Sequence, residues 1–179
     1  VKLINPLGEE NSVMRTVLMP NMMEVLARNY TRNIDKVNAF EIGNTFVNNT
    51  QEDDVLPYEQ YALCIGMYGK DEDFYSLKGV VEELFRVLGI KDPIFAGEAD
   101  LGAFHRISVI SGENGEPVQL GVMGEVHPDV AEQYGMEGVR IYCCELMFDA
   151  IRDNSDRTIL YTPLPKYPST SRDIALLVE

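Results

Sequence analysis

Two apolar runs flank the dipeptide Asn114-Gly115: Arg106-Ile107-Ser108-Val109-Ile110 before it and Val118-Gln119-Leu120-Gly121-Val122 after it. Asn-Gly suits a tight hairpin because both residues tolerate positive φ, so the spacing predicts an antiparallel hairpin within His105 to Val126. A link this short cannot hold the crossover that parallel strands require. The same reasoning applies upstream. Ala39 to Val47 alternates apolar with polar or small residues, as a half-buried strand does. An acidic loop, Gln51 to Leu56, separates it from a second run, Gln60 to Met67, that Gly69 closes. With a further strand from Val139 to Leu146, the expected class is α+β: an antiparallel sheet flanked by helices, which we expect on one side.

Four helical segments are legible. Pro20 is well placed in a first turn, where its missing N–H costs nothing, and Met22, Val25, Leu26 and Tyr30 then recur at helical spacing. From Ser76 to Leu88 the residues Leu77, Val80, Val81, Leu84, Phe85 and Leu88 share one stripe. Ser76 is the expected cap there and Gly89 the stop. Pro128 opens a short helix that Gly135 ends, and Phe148 to Arg152 reads as another short helical segment. From Thr158 onward Pro163, Pro165 and Pro168 punctuate a linker that leads to an apolar run, Ile174 to Val178. Both ends read as cut from a longer chain, since Val1 is not an initiator Met and the last run resembles an unfinished strand.

A chain of 179 residues with 45% hydrophobic content can bury a core. No stretch approaches the roughly 20 apolar residues of a membrane span. The formal charge of −14 repels phosphate and argues against extensive unaided nucleic-acid binding. Cys64, Cys143 and Cys144 are read as free buried thiols of a reducing compartment. Adjacent cysteines on a strand point to opposite faces, and neither His105 nor His127 stands near a cysteine in sequence, so no metal site is expected. Asp71-Glu72-Asp73 lacks the spacing of a calcium loop and reads as the acidic start of the next helix.

Five polar residues are read as structural. Arg15 stands in an otherwise uncharged run and is expected to pair with an acid such as Glu41. His127, before Pro128, is expected to cap a helix or hold a buried hydrogen bond; the alternative is a functional base, with Glu125 on the same strand face as its one supporting partner. Glu145, alone among apolar neighbours, is a similar case.

In order along the chain, several segments resemble one family. They are Asn5-Pro6-Leu7, Ser12-Val13-Met14-Arg15-Thr16, Leu18-Met19-Pro20, Phe40-Glu41-Ile42-Gly43, Tyr75-Ser76-Leu77-Lys78-Gly79 and Leu120-Gly121-Val122-Met123-Gly124-Glu125-Val126-His127-Pro128. Together they resemble the core domain of the bacterial phenylalanyl-tRNA synthetase beta subunit. Lys166-Tyr167-Pro168-Ser169 with Ser171-Arg172-Asp173-Ile174 resembles the first strand of the anticodon-binding domain that follows. Two departures stand out. Asn44 occupies a position where the family often has Arg, and Phe104-His105-Arg106 replaces a longer His-Pro-Gly-Arg run.

The resemblance implies a fold like the catalytic domain of class II aminoacyl-tRNA synthetases over residues 1–157. It also implies a linker and the first strand of a ferredoxin-like domain over 158–179. It implies a non-catalytic module that packs against a catalytic alpha subunit in a heterotetramer of two alpha and two beta subunits, charging tRNA-Phe in the cytoplasm. The whole enzyme would use ATP and Mg2+. Phosphate handling needs arginines. The matching strands here, Phe40 to Val47 and Ile141 to Phe148, carry none, so no catalytic residue and no cofactor is expected in this segment. Met19, Met22, Leu26 and Tyr30 are the expected subunit-contact residues. The alternatives are a relic pocket with residual ATP or amino-acid binding, or a tRNA-contacting domain.

Overall fold

The computed structural model describes residues 1–3, 5–9, 12–48, 56–98, 102–113, 117–156, 158 and 172–173. The element order is α1 (Met19–Thr31), β1 (Val37–Val47), β2 (Tyr58–Tyr68), α2 (Phe74–Leu88), β3 (Ile94–Glu98), β4 (Phe104–Glu113), β5 (Pro117–Val126), α3 (Pro128–Gln133), β6 (Ile141–Met147) and α4 (Phe148–Asn154). The strands form one six-stranded sheet in the order β1-β2-β6-β5-β4-β3. Every neighbouring pair is antiparallel.

The expected class holds, with one correction: helices cover both faces of the sheet. The central strands dictate this because they are apolar on both sides. From β2, Ala62, Cys64 and Tyr68 join Met22, Met23 and Leu26 of α1 and Ala131 of α3 in one core. Leu63, Ile65 and Met67, the alternate residues, join Leu77, Val81 and Phe85 of α2 and Ile151 of α4 in the other. Strand β6 divides likewise, with Ile141 and Cys143 in the first core and Tyr142, Cys144 and Leu146 in the second.

Strand β3 was not anticipated. Its five residues, Ile94 to Glu98, contain a glycine and no clear alternation, and they become a strand by pairing along β4 from Ile94↔Ser111 to Glu98↔Ile107. The expected hairpin is present as β4 and β5, but its register is displaced: Val109↔Val122 and Ile110↔Gly121 pair within the two expected runs, Arg106 to Ser108 pair with Glu125 to Met123, and a register shift falls between Ile110 and Ser111. That shift leaves Leu120 between Gly121, opposite Ile110, and Gln119, opposite Ser111. Both Leu120 and Met123 consequently reach the α2 side.

The cap of α2 is also corrected. Asp73 is the N-cap, and its side chain accepts from the Ser76 backbone N–H at 2.7 Å while Ser76 Oγ accepts from the Asp73 N–H at 3.3 Å. Ser76 is thus the third helical residue of a reciprocal capping box. Gly89 ends the helix at φ 74° as expected. Glu72, read as part of the same acidic start, instead pairs with Lys36 and accepts from Asn38 at 3.3 Å. The turn at 114–115, the acidic loop from 51 to 55 and most of 158–179 lie outside the described residues.

Candidate functional site

The segment before α1 lies along the edge of the sheet and organises the face that α1 covers. Arg15 donates from Nη1 to Glu41 Oε1 at 2.6 Å and from Nε to the Asn44 carbonyl at 2.9 Å. Its own carbonyl accepts the Phe46 N–H at 2.9 Å. The guanidinium crosses β1 over Gly43, where a Cβ would run into it. Arg15 and Glu41 are therefore brought together, each about one-third exposed.

Glu145 lies on the same face, opposite Cys64 of β2 and Val122 of β5. Its Oε2 accepts the backbone N–H groups of Leu18 and Met19, each at 3.0 Å. Helix α1 has no side-chain cap of its own and no acid in its first turn. A strand carboxylate thus satisfies two of the donors that a helix start leaves open. Burial pushes the Glu145 carboxyl above its ordinary range, against the lowering effect of those two N–H bonds.

Beside Glu145 opens a cavity of about 460 Å3. Its walls are mostly apolar, with Val17, Met23, Phe104, Val122, Val130 and Tyr134 among them. No lysine or arginine is among the described residues that line it. A triphosphate needs cations, and this cavity presents a carboxylate instead. The residues present do not fit ATP with Mg2+.

The opposite face carries a different feature. Alternation on β1 turns Phe40 and Ile42 toward the α2 side, yet α2 reaches only part of that surface. Phe40 is 73% exposed and Ile42 51%. With Val80 and Leu84 of α2 they line an apolar groove of about 370 Å3. Alternating apolar residues on a strand ordinarily mark its inward side. Here β1 ends the sheet, and the pattern alone could not show that its apolar side lacks a full cover.

The expected contact residues divide. Met22 is 2% exposed and Leu26 0%. Both pack against Gly66 of β2, where an added Cβ would come within about 3 Å of their side chains. Met19 is partly buried against the same core. Tyr30 remains partly exposed and stands edge-on to Tyr68, with ring centroids 6.0 Å apart.

Glu125 is held by Arg140 through two hydrogen bonds of 2.9 and 3.1 Å, a partner from beyond α3 that sequence order does not suggest. His127 is the N-cap of α3, and its Nδ1 accepts the Asp129 N–H at 3.2 Å. All three cysteines are buried and free. Burial pushes Cys143 up to about 12 and raises Cys64 and Cys144 as well. Among the described residues no group of three His, Cys, Asp or Glu side chains converges as a metal site. No helix among them is long and apolar enough to cross a membrane.

Residues 1–148 match the family model described as the phenylalanyl tRNA synthetase beta chain CLM domain. Three phenylalanine–tRNA ligase beta subunits are similar over the whole chain: 42% identical in Clostridium acetobutylicum, 38% in Clostridium tetani and 37% in Carboxydothermus hydrogenoformans. The chain spans only 22–23% of the length of these relatives. With the match covering most of the sheet and its helices, the chain belongs to the family of the phenylalanyl tRNA synthetase beta chain CLM domain.

Proposed function

We propose that this chain is a non-catalytic core module of a phenylalanine–tRNA ligase beta subunit. In this reading it has the class II synthetase catalytic-domain fold and packs against the catalytic alpha subunit of a heterotetramer. The assembly charges tRNA-Phe with phenylalanine, using ATP and Mg2+ held elsewhere, in the cytoplasm. Residues 158–179 would be the linker and first strand of the following anticodon-binding domain.

The observation that carries the non-catalytic half is the cavity beside Glu145. A carboxylate stands in it, its described lining has no cation, and the nearby Arg15 guanidinium is engaged by Glu41 and Asn44. Such a site repels the phosphates of ATP.

The exposed groove of Phe40, Ile42, Val80 and Leu84 supports the packing half, because a contiguous apolar surface of this kind marks a contact. Tyr30, on the exposed side of α1, is a second candidate contact. Met22 and Leu26 would serve the interface only indirectly, by holding α1 on the sheet.

The test is co-purification with the alpha subunit. Phe40→Glu and Ile42→Glu should fold normally and lower recovery of the complex about tenfold or more. Normal recovery with both variants would remove this groove from the interface. Phenylalanine-dependent pyrophosphate exchange by the chain alone would overturn the non-catalytic assignment.

A further inference from the structure

We propose that the cavity beside Glu145 binds a small primary amine with an apolar body, its ammonium group seated on the Glu145 carboxylate. The volume, about 460 Å3, is within the range of small-molecule sites, and the wall is largely apolar with few polar groups, as such sites are. The polarity of the ligand follows from the charge that faces the cavity. Glu145 bonds the Leu18 and Met19 N–H groups through Oε2 alone. No hydrogen bond from a described residue is made to its other oxygen, which leaves an acceptor for a cationic donor. Arg15 and Glu41 pair with each other and line no part of the cavity, so Glu145 is the one charged side chain among its described lining residues. The whole chain adds a field of −14. Each of these favours a cation and disfavours an anion.

The same arrangement excludes a free amino acid as the preferred ligand. Its ammonium could reach Glu145, but its carboxylate would enter a cavity whose described lining has no lysine or arginine. A buried, unpaired charge of that kind is costly. An arylalkyl amine keeps the favourable ammonium contact and the apolar burial while omitting the unfavourable group. The apolar walls from β5, α1 and α3, including Val122, Met23 and Val130, would enclose its ring or chain. This proposal is independent of subunit packing, since amine binding and alpha-subunit association are separate measurements.

The experiment titrates the chain with 2-phenylethylamine, L-phenylalanine and 3-phenylpropionate, following backbone amide resonances. The amine should move the resonances of Val17, Met19, Val122 and Glu145 in a saturable way. L-Phenylalanine should bind about tenfold or more weakly, and 3-phenylpropionate should leave these resonances unmoved. Glu145→Gln keeps an acceptor for the Leu18 and Met19 N–H groups but removes the charge, and should weaken the amine about tenfold or more. The proposal is overturned by equal binding of amine and amino acid, by shifts centred elsewhere, by no saturable shift, or by undiminished affinity in a folded Glu145→Gln chain. The amine-against-acid comparison uses the unaltered chain, so it decides the matter even where the variant does not fold.

Discussion

Glu145, in the central strand β6, accepts the backbone N–H of Met19, the first residue of α1, at 3.0 Å across 126 positions of sequence. A helix that lacks a local cap is started by a residue from the other end of the domain. The bond ties the N-terminal segment to the centre of the sheet and fixes the rim of the adjoining cavity.

Removing that acceptor should loosen the start of α1. Glu145→Ala leaves the Leu18 and Met19 N–H groups without their partner and should cost about 1–3 kcal/mol in urea unfolding. Glu145→Gln should cost much less at neutral pH. The pH dependence has a defined sign. Burial raises the folded carboxyl above its ordinary 4.5, so the folded state holds this proton more tightly than the unfolded one. The associated stability is present below about 4.5 and is lost as pH rises through the folded value. Wild-type stability relative to Glu145→Gln should therefore fall as pH rises through that range, as paired melts at successive pH values would show. A difference that does not change with pH would contradict the direction.

Met22 and Phe40 should separate folding from association. Met22→Glu or Leu26→Glu places a charge in a nearly inaccessible core and should destabilise the chain by about 3 kcal/mol or more, seen as loss of the cooperative melt. Phe40→Glu replaces an exposed side chain and should leave the melt within about 0.5 kcal/mol of wild type. The effect of Phe40→Glu belongs in the co-purification assay.

The capping box of α2 gives a pH response of opposite sign. Asp73 lies below its ordinary carboxyl value, chiefly because it accepts the Ser76 backbone N–H, with the Ser76 hydroxyl as a second donor. A lowered folded value means stability that is present above about 3.8 and lost as pH falls through the folded value. Asp73→Ala should lower the melting temperature at neutral pH and lower it less in acid. An unchanged midpoint at neutral pH would show that the box adds nothing to the fold.

The thiols report on the integrity of the sheet. Cys64, Cys143 and Cys144 are buried, and burial raises all three above the ordinary thiol value, Cys143 to about 12. A thiol reagent at mildly alkaline pH should react slowly with the native chain and with all three cysteines in denaturant. Rapid labelling of one native thiol would place an opening motion at that strand.

The hairpin, the alternation of the strands and the periodic stripe of α2 are readable in sequence because each is a local pattern with a local cause. Strands β4 and β5 lie on either side of Asn114-Gly115, and Gly89 terminates α2 because it accepts positive φ. The cap at Asp73 was displaced by three residues because Ser76 is also a good cap former, and only the hydrogen bonds show which residue precedes the helix. Strand β3 had no clear local pattern. Its place comes from the edge of β4.

The candidate site was legible only in part. The ion pair of Arg15 and Glu41 could be suggested because an isolated charge in an uncharged run needs a partner. Glu145 stood out for the same reason, but the identity of its donors did not, since backbone N–H groups leave no mark in a sequence. The two apolar sets on α1 and β1 look alike as patterns. Met22 and Leu26 disappear into the chain's own core while Phe40 and Ile42 stay open.

The sequence by itself determined most of the element types, the antiparallel class and the lack of arginines from Phe40 to Val47 and from Ile141 to Phe148. These follow from residue spacing and side-chain chemistry. The tertiary structure decided which apolar faces are covered, which acid starts α1, and that the cavity presents a carboxylate. Those outcomes depend on residues far apart in the chain meeting on one sheet, where burial and partner geometry set the energy of each group.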